Sequence, residues 1–151
     1  MNPRLDALAR AFAQPVEGPS YRPLTRGLAV LVVAGLLAWA VRVVAAAPPE
    51  FTAAHWVATA AIAAVVLWPV PALLFGRTRV DADGVRQLGW LARHAGWAEV
   101  RRIRFVRVPM SPRLVVSFDS GRPRIFYSGN AALDAAFERV QSLLTEPLPR
   151  R

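Results

Sequence analysis

Two apolar runs, LTRGLAVLVVAGLLAWAVRVVAAA (24–47) and AAHWVATAAIAAVVLWPVPALLFG (53–76), flank the break PPEFT (48–52). A helix rises about 1.5 Å per residue, so about 20 residues cross a hydrocarbon core of about 30 Å. Each run is long enough to do so. The sequence therefore predicts a transmembrane helical hairpin over 24–76, with helices at 24–47 and 53–76.

A cleaved secretory signal is the alternative for the first run. Arg22 and Arg26 precede its apolar core, and residues 45–47 resemble a small-residue cleavage site. Cleavage is disfavoured because the leader before the core is long, Arg42 interrupts the end of the run and Pro48 would follow the cut. A second apolar run also follows almost at once, as a hairpin requires. We expect an uncleaved span.

Orientation follows from arginine in the short flanks, because positively charged flanks stay in the cytoplasm. The flanking arginines are Arg4, Arg10, Arg22 and Arg26 before the hairpin, and Arg77, Arg79 and Arg86 after it. The loop between the runs offers only the acidic Glu50. We therefore expect both termini in the cytoplasm and PPEFT outside.

Small residues repeat at four-residue spacing in both runs, as Ala34 with Ala38, Ala54 with Ala58 and Ala60 with Ala64. Such faces let helices approach closely in lipid. They predict packing within the hairpin and give weaker support to a homo-oligomer.

The leader, residues 1–23, combines a short amphipathic segment with a linker. Leu5, Leu8 and Phe12 recur at helical spacing after Asn2 and Pro3, which suit the start of a helix. We expect this helix to lie in the headgroup layer, a disordered leader being the alternative. The segment PVEGPSYRP (15–23) is rich in proline and predicts an extended linker.

The net charge of +9 comes from arginine alone, since the chain has no lysine. Residues 77–151 hold fourteen arginines against seven acidic residues, a balance of +7. A basic domain beside a membrane is attracted to anionic headgroups by roughly 1 kcal/mol per nearby arginine. Nucleic acid is the other common partner of a basic domain, and arginines that merely solvate the surface are a third interpretation.

After Gly76 the pattern changes to short β-type runs separated by turns. Asp83-Gly84 after Val80 is a strong hairpin signal. Further β-type runs follow at 85–92, around 97, at 102–108, 114–118 and 124–127, with a turn predicted at 94–96. About six short antiparallel strands are therefore expected.

The last element is helical: NAALDAAFERVQSLL (130–144) starts with Asn130 as an N-cap and carries an apolar stripe of Leu133, Phe137 and Val140. This stripe predicts a helix that covers the open end of the sheet. The sequence thus predicts an α+β membrane protein, in which the two-helix hairpin precedes a small antiparallel domain over 77–146. Residues 147–151 form a tail.

The order V-D-A-D-G-V (80–85), strand, G-W-A-E-V-R-R-I (96–103), strand, hairpin, helix resembles the bacterial pleckstrin-homology-like domain behind a two-helix membrane anchor. The resemblance implies that Trp97 packs in the core of a small barrel and that Asp83-Gly84 makes the first tight turn. It also implies location in a bacterial inner membrane. Six strands rather than the seven of a complete barrel predict a partial barrel.

Residues able to carry catalysis are sparse. Residues 77–146 hold one histidine, His94, in a predicted turn. Asp81 and Asp83 alternate beside a turn, where aspartate usually acts as a cap or turn former. The sequence contains no cysteine, no metal-ligand spacing, no glycine-rich phosphate loop and no serine elbow. We therefore predict a non-enzymatic protein without cofactor or metal.

Arginines are the remaining candidates for a site, as contacts to anionic headgroups or to a partner: Arg77, Arg79, Arg101, Arg102, Arg104, Arg107, Arg122 and Arg124. Arginines two positions apart share a face of a strand, so a pair can hold a phosphate by forked hydrogen bonds. Charged strand edges also discourage aggregation, which is the alternative role.

Three functional hypotheses follow. The first is a membrane-anchored module that binds another protein, including as an accessory subunit of a membrane complex. The second is a sensor whose arginine cluster binds anionic phospholipid. The third, nucleic-acid binding, ranks last because Phe105, Phe118 and Phe126 are expected in the core, which leaves no aromatic stacking platform among the arginines.

Overall fold

The computed structural model describes residues 3–46, 52–89, 92–119 and 121–145. The chain is α+β, with long apolar helices near its N-terminus, antiparallel sheets and a C-terminal helix. The elements of the described ranges are α1 (Pro3–Ala11), β1 (Val16–Pro19), α2 (Pro23–Ala45), α3 (Ala53–Leu67), α4 (Val70–Phe75), β2 (Arg77–Val80), β3 (Gly84–Leu88), β4 (Arg93–Gly96), a 3₁₀ turn (Trp97–Glu99), β5 (Val100–Val106), β6 (Arg113–Phe118), β7 (Arg124–Tyr127) and α5 (Ala131–Thr145). The predicted Asn2 cap, residues 48–51 of the loop and the tail 147–151 lie outside the described residues.

The apolar runs form α2 and the pair α3 and α4, each set long and apolar enough to cross a membrane. Pro23 starts α2, where the fixed φ of proline suits the first helical turn. The second run is interrupted at Trp68 and Pro69, because Pro71 lacks the N–H that would donate to Leu67 and its ring crowds that carbonyl. The two prolines at 69 and 71 therefore divide the end of this run into α3 and a short α4.

β1 lies just before the helical hairpin and β2 just after it, and the two strands pair antiparallel with Pro19 opposite Arg77. The prediction of an extended linker over residues 15–23 is therefore corrected, since Val16–Pro19 is an edge strand of a sheet. Proline is tolerated there because an edge strand leaves one side without a ladder to donate to. The helical hairpin is thus an insertion between neighbouring strands.

The described residues contain seven strands in two antiparallel sheets, which we call the first sheet (β1-β2-β3-β4) and the second sheet (β5-β6-β7). The expectation of about six strands missed β1, because its partner lies beyond the hairpin. It also placed a turn at 94–96, where β4 runs, and a strand around Trp97, where the chain makes a 3₁₀ turn. β4 contains a single apolar residue, Ala95, so its alternation is too short to recognise.

Asp83-Gly84 and Trp97 lie together at one end of the first sheet. Asp81 closes the turn, because its carboxylate accepts the Gly84 N–H at 3.0 Å. Trp97 is 3% exposed, and its indole N–H donates to the Asp81 carbonyl at 2.9 Å. A Cβ on Gly84 would lie 2.3 Å from the Ala95 carbonyl oxygen, so only glycine fits there. The tight turn and the buried tryptophan are both present.

One hydrophobic core joins both sheets to α5 and α1. Its buried residues are Leu8, Phe12, Val80, Val85, Ala95, Trp97, Ile103, Leu114, Val116, Phe126, Leu133, Ala136, Phe137 and Val140. None of these comes from α2, α3 or α4 within the described residues. The domain is therefore packed without help from the helical hairpin.

α5 covers the gap between the two sheets, as its apolar stripe predicts. Asn130 caps it, because its side-chain oxygen accepts the Leu133 N–H at 2.8 Å. Leu133, Phe137 and Val140 are buried, and the Phe137 ring meets the edge of the Phe105 ring with centroids 5.8 Å apart. The C-terminal helix is confirmed both in position and in the face that it buries.

α1 is the predicted amphipathic helix, but its apolar face does not lie in the headgroup layer. Leu8 is 0% exposed and Phe12 3% exposed, both in the core described above. The apolar stripe of a short helix is the same whether it faces lipid or protein, so the sequence could not separate these cases. Residues on both sides of the helical hairpin thus build one domain.

Replacing Leu8 tests this placement of α1. Because its side chain is fully buried, Leu8→Ala should lower the free energy of unfolding by about 2–5 kcal/mol. The measurement is chemical unfolding of the full chain in detergent micelles, followed by tryptophan fluorescence. Leu24→Ala is the control, because the Leu24 side chain is 67% exposed on α2, and it should change that free energy by less than about 1 kcal/mol. Equal effects of the two changes would contradict the placement.

Candidate functional site

Both ends of the helical hairpin join the domain at one point, the neck, formed by residues 20–22 and 76–78. The Ser20 N–H donates to the Gly76 carbonyl at 2.9 Å. The Ser20 and Thr78 hydroxyls are fully buried and 2.9 Å apart. Because Thr78 gives its single proton to the Tyr127 carbonyl at 2.8 Å, Ser20 is the donor to Thr78. A chain of buried hydroxyls thus ties both hairpin ends to the second sheet.

Side chains other than these hydroxyls also connect the neck to the rest of the domain. Tyr21 stacks on Tyr127, with ring centroids 5.1 Å apart. Arg22 forms an ion pair of 2.6 Å with Asp134, which lies in the first turn of α5. The helix dipole also stabilises a carboxylate at this position. The Thr25 hydroxyl of α2 donates to the Met110 carbonyl at 3.3 Å.

Strand directions give the domain a near end, at the neck, and a far end. Pro19 and Arg77 are opposite each other at the neck. In the second sheet Tyr127 is opposite Arg113, and Tyr127 also stacks on Tyr21 of the neck, so this end of the sheet is near as well. The other ends of the strands form the far end, with Val80, Gly84, Gly96, Phe118 and Arg124.

The eight candidate arginines do not form a single site. Arg77 and Arg107 lie at the near end, at the start of β2 and just after β5. Arg79 and Arg104 lie part-way along β2 and β5. The far end holds Arg101, Arg102, Arg122 and Arg124, which we call the far-end cluster. Arg102 and Arg104 share an exposed face of β5, and Arg122 and Arg124 both lie at the far end, but strand direction places Arg77 and Arg107 in a different region.

Several of these arginines are paired with acidic side chains: Arg77 with Glu17 at 3.1 Å, Arg79 with Asp81 at 3.6 Å, Arg101 with Asp119 at 3.3 Å, and Arg107 with Glu138. These pairs are largely exposed, so each contributes at most about 1 kcal/mol to stability. Because an acidic side chain balances the charge of each of these arginines, they attract a further anion less strongly than unpaired arginines do.

The other members carry unbalanced charge. Arg102, Arg104 and Arg122 form no ion pair within the part of the chain that the structure describes. Arg124 lies over the Phe118 ring, with its guanidinium carbon 5.0 Å from the ring centroid. Shallow hollows of about 300 and 310 Å³ lie beside the far-end cluster, and Glu99 and Asp119 line the first of them together with Arg122 and Arg124. This surface offers charge-assisted donors to carboxylates or phosphates.

A second candidate lies at the near end, where α4 and the break before it meet the first sheet. A cavity of about 150 Å³ is lined there by residues that include Tyr21, Trp68, Gln87, Arg93 and Tyr127. Sequence reasoning missed it, because its lining residues are far apart along the chain and the strand that carries Arg93 was not predicted. The one available signal was that Tyr21 and Tyr127 are the only tyrosines.

Metal chemistry finds no support in the described residues, which contain no group of three or more His, Asp or Glu side chains able to hold an ion. Comparisons with known proteins found no matching family model, curated protein or solved structure. A functional assignment therefore depends on the geometry of this chain.

Tyr21 gives the neck a measurable pH dependence. Burial, and then Tyr127, raises the pKa of Tyr21 above its ordinary value of 10.0, while the charge of Arg93 acts in the opposite direction. The folded state thus holds the phenol proton more tightly than the unfolded state does. The resulting stability is fully present below the unfolded pKa and is lost as pH rises through the folded pKa.

We therefore expect the free energy of unfolding to fall more steeply between about pH 9 and about pH 11 in the wild type than in Tyr21→Phe. Chemical unfolding of both chains across this range measures the difference. The phenylalanine variant is a close control, because it keeps the ring stack and loses only the titrating hydroxyl. Identical pH slopes would contradict the effect.

Proposed function

We propose that this chain is a non-catalytic, membrane-anchored module that presents the far-end cluster to an acidic protein partner at the inner surface of a bacterial membrane. The observation that carries the proposal is the arrangement of one small domain, with an apolar helical hairpin at its near end and, at its far end, an arginine cluster in which Arg101 is ion-paired but Arg102 and Arg122 are not, among the described residues. Because the anchor and the recognition surface lie at opposite ends of the domain, the recognition surface is accessible to a partner.

The exposure of the helical hairpin supports an anchor. α2 and the α3–α4 pair have mean hydropathies of 2.4 and 2.2, yet only 6% and 0% of their most apolar windows are buried. A core helix of a soluble protein would be mostly buried. Contiguous apolar surface of this extent is costly in water, at roughly 25 cal/mol per Å², so lipid is its most favourable surrounding.

The arrangement of strands supports the resemblance to the bacterial pleckstrin-homology-like domain. β1 adds a strand to those predicted, so the first and second sheets together contain the number that the complete barrel requires within the described residues. α5 covers the opening between the sheets, and Trp97 lies in the core. In this proposal the two-helix anchor is inserted within the domain rather than placed before it.

Binding of the far-end cluster to the anchoring membrane is the alternative. Arg102 lies four positions before Val106, the near end of β5, which is about 13 Å along a strand. Headgroup attraction fades over about 8 Å at physiological ionic strength. The cluster is therefore better placed for a protein than for lipid. Nucleic acid is disfavoured, because Phe126 is buried and Phe118 is covered by Arg124.

Single cysteines test the anchor and its orientation, since the chain has no native cysteine. The variants are Thr52→Cys, in the loop between the apolar helices, and Thr145→Cys, at the end of α5. We expect an impermeant maleimide to label Thr52→Cys in intact spheroplasts and Thr145→Cys only after lysis. Both proteins should remain in the membrane pellet after alkaline carbonate extraction. Release by carbonate, or labelling of Thr145→Cys in intact spheroplasts, would contradict the proposal.

Photo-crosslinking in native membranes tests the partner. A photoreactive amino acid at Pro123, an exposed position in the far-end turn, should give discrete adducts with protein. Adding Arg102→Gln and Arg122→Gln removes two charge-assisted contacts and should lower the adduct yield at least about tenfold.

The matched control adds Arg113→Gln and Arg139→Gln, which remove the same charge away from the far-end cluster. Its adduct yield should stay within about twofold of the starting protein. An equal loss in the control, or adducts formed with lipid or nucleic acid in place of protein, would overturn the assignment.

A further inference from the structure

The cavity at the near end has a polar side built from several converging donors. The Tyr21 and Tyr127 rings stack at 28° to one another, and neither hydroxyl has a hydrogen-bond partner within the described residues. Arg93 donates one guanidinium N–H to the Ile125 carbonyl at 3.1 Å. Its other guanidinium N–H groups can donate to a ligand. Gln87 accepts the Tyr127 N–H through its side-chain oxygen at 3.3 Å, so its NH₂ group is free to donate.

The charge of this lining distinguishes it from the surfaces whose arginines form ion pairs. No acidic side chain lines the cavity among the described residues. Arg77, Arg79, Arg101 and Arg107, by contrast, each face a carboxylate. A guanidinium beside phenolic hydroxyls, without a neighbouring carboxylate, favours a bound anion.

The opposite side of the cavity is apolar. Trp68 lies at the break between α3 and α4 and contributes to the lining, as does Leu88, which is 54% exposed. Tyr21 is only two residues before the start of α2. If the hairpin spans a membrane as proposed above, the cavity lies at the depth of the inner headgroups, open to lipid from the side of the broken helix.

We propose that this cavity holds the phosphate of an anionic phospholipid from the inner leaflet. Arg93 and the hydroxyls of Tyr21 and Tyr127 donate to the phosphate oxygens, and Trp68 and Leu88 contact the glycerol and the first acyl carbons. The inference rests on the proposed membrane placement but is independent of the far-end cluster and its partner. It also assigns lipid contact to residues outside the eight arginines named from the sequence.

A soluble phosphate ester would offer the same oxygens, and the difference lies in the acyl chains. The apolar wall of Trp68 and Leu88 has no role with a soluble ligand, whereas it adds affinity for a lipid. The cavity volume of about 150 Å³ suits a phosphate with its adjoining carbons rather than a whole lipid, whose chains remain in the bilayer.

Native mass spectrometry of the full chain tests the inference. The protein is reconstituted in nanodiscs of phosphatidylcholine with a minority of phosphatidylglycerol, and lipid retained after disc release is counted. We expect the wild type to retain phosphatidylglycerol in preference to phosphatidylcholine. Arg93→Gln should lower the retained fraction at least about tenfold, and Tyr21→Phe, which removes one neutral donor, by roughly threefold to tenfold.

Arg26→Gln is the matched control, because Arg26 lies on the first turns of α2 at the near end but does not line the cavity. Its retained fraction should stay within about twofold of the wild type. Equal loss in Arg93→Gln and Arg26→Gln would assign the effect to general charge attraction and overturn the site. No loss in either would also overturn it. Where Arg93→Gln fails to fold, Tyr21→Phe decides by the same criterion.

Competition with inorganic phosphate distinguishes a lipid from a soluble phosphate ester. Phosphate added during disc release should leave the bound phosphatidylglycerol in place, and displacement would assign the site to a soluble phosphate ester and overturn the lipid. A chain that does not enter the nanodiscs overturns the proposed anchor and this inference together. A chain that enters them but retains no phosphatidylglycerol overturns this inference alone.

Discussion

The pairing of β1 with β2 across the helical hairpin is the constraint on which the rest of the structure depends. A flexible connection as long as residues 20–76 would cost about 2 kcal/mol more to close than a four-residue turn. α2 and the α3–α4 pair remove much of this cost, because two helices that fold back on each other bring Ser20 and Gly76 together. Formation of the hairpin and completion of the first sheet therefore favour one another, and α1 reaches the core because β1 directs the chain there.

Polar groups at the neck make this junction specific. The hydroxyls of Ser20 and Thr78 are fully buried, and each would cost about 1–3 kcal/mol if left without a partner. The Tyr127 carbonyl accepts from Thr78, so the same contact that satisfies the hydroxyls also sets the second sheet against the first. Two covalent crossings and this hydrogen-bonded chain join the hairpin to the domain more firmly than a single linker would.

The same geometry separates two kinds of chemistry. At the near end, aromatic and apolar residues surround one arginine, Arg93, close to where the helices leave the domain. At the far end, the far-end cluster stands on the β6–β7 turn and the start of β5, away from the apolar helices. Arginine alone does not distinguish a lipid contact from a protein contact here. The distance of the arginine from the neck and the side chains around it make that distinction.

Local signals in the amino-acid sequence were enough to predict the two apolar runs, the Asp83-Gly84 turn and the capped, amphipathic α5. Each depends on residues within a few turns of one another, so periodicity and turn chemistry are sufficient. Three further features could be seen only once the chain was folded: β1 is a strand, Leu8 and Phe12 belong to the core, and Tyr21, Arg93 and Tyr127 line one cavity. These features depend on contacts between residues far apart in the chain, and a short edge strand or a small amphipathic helix carries no local mark of its partner.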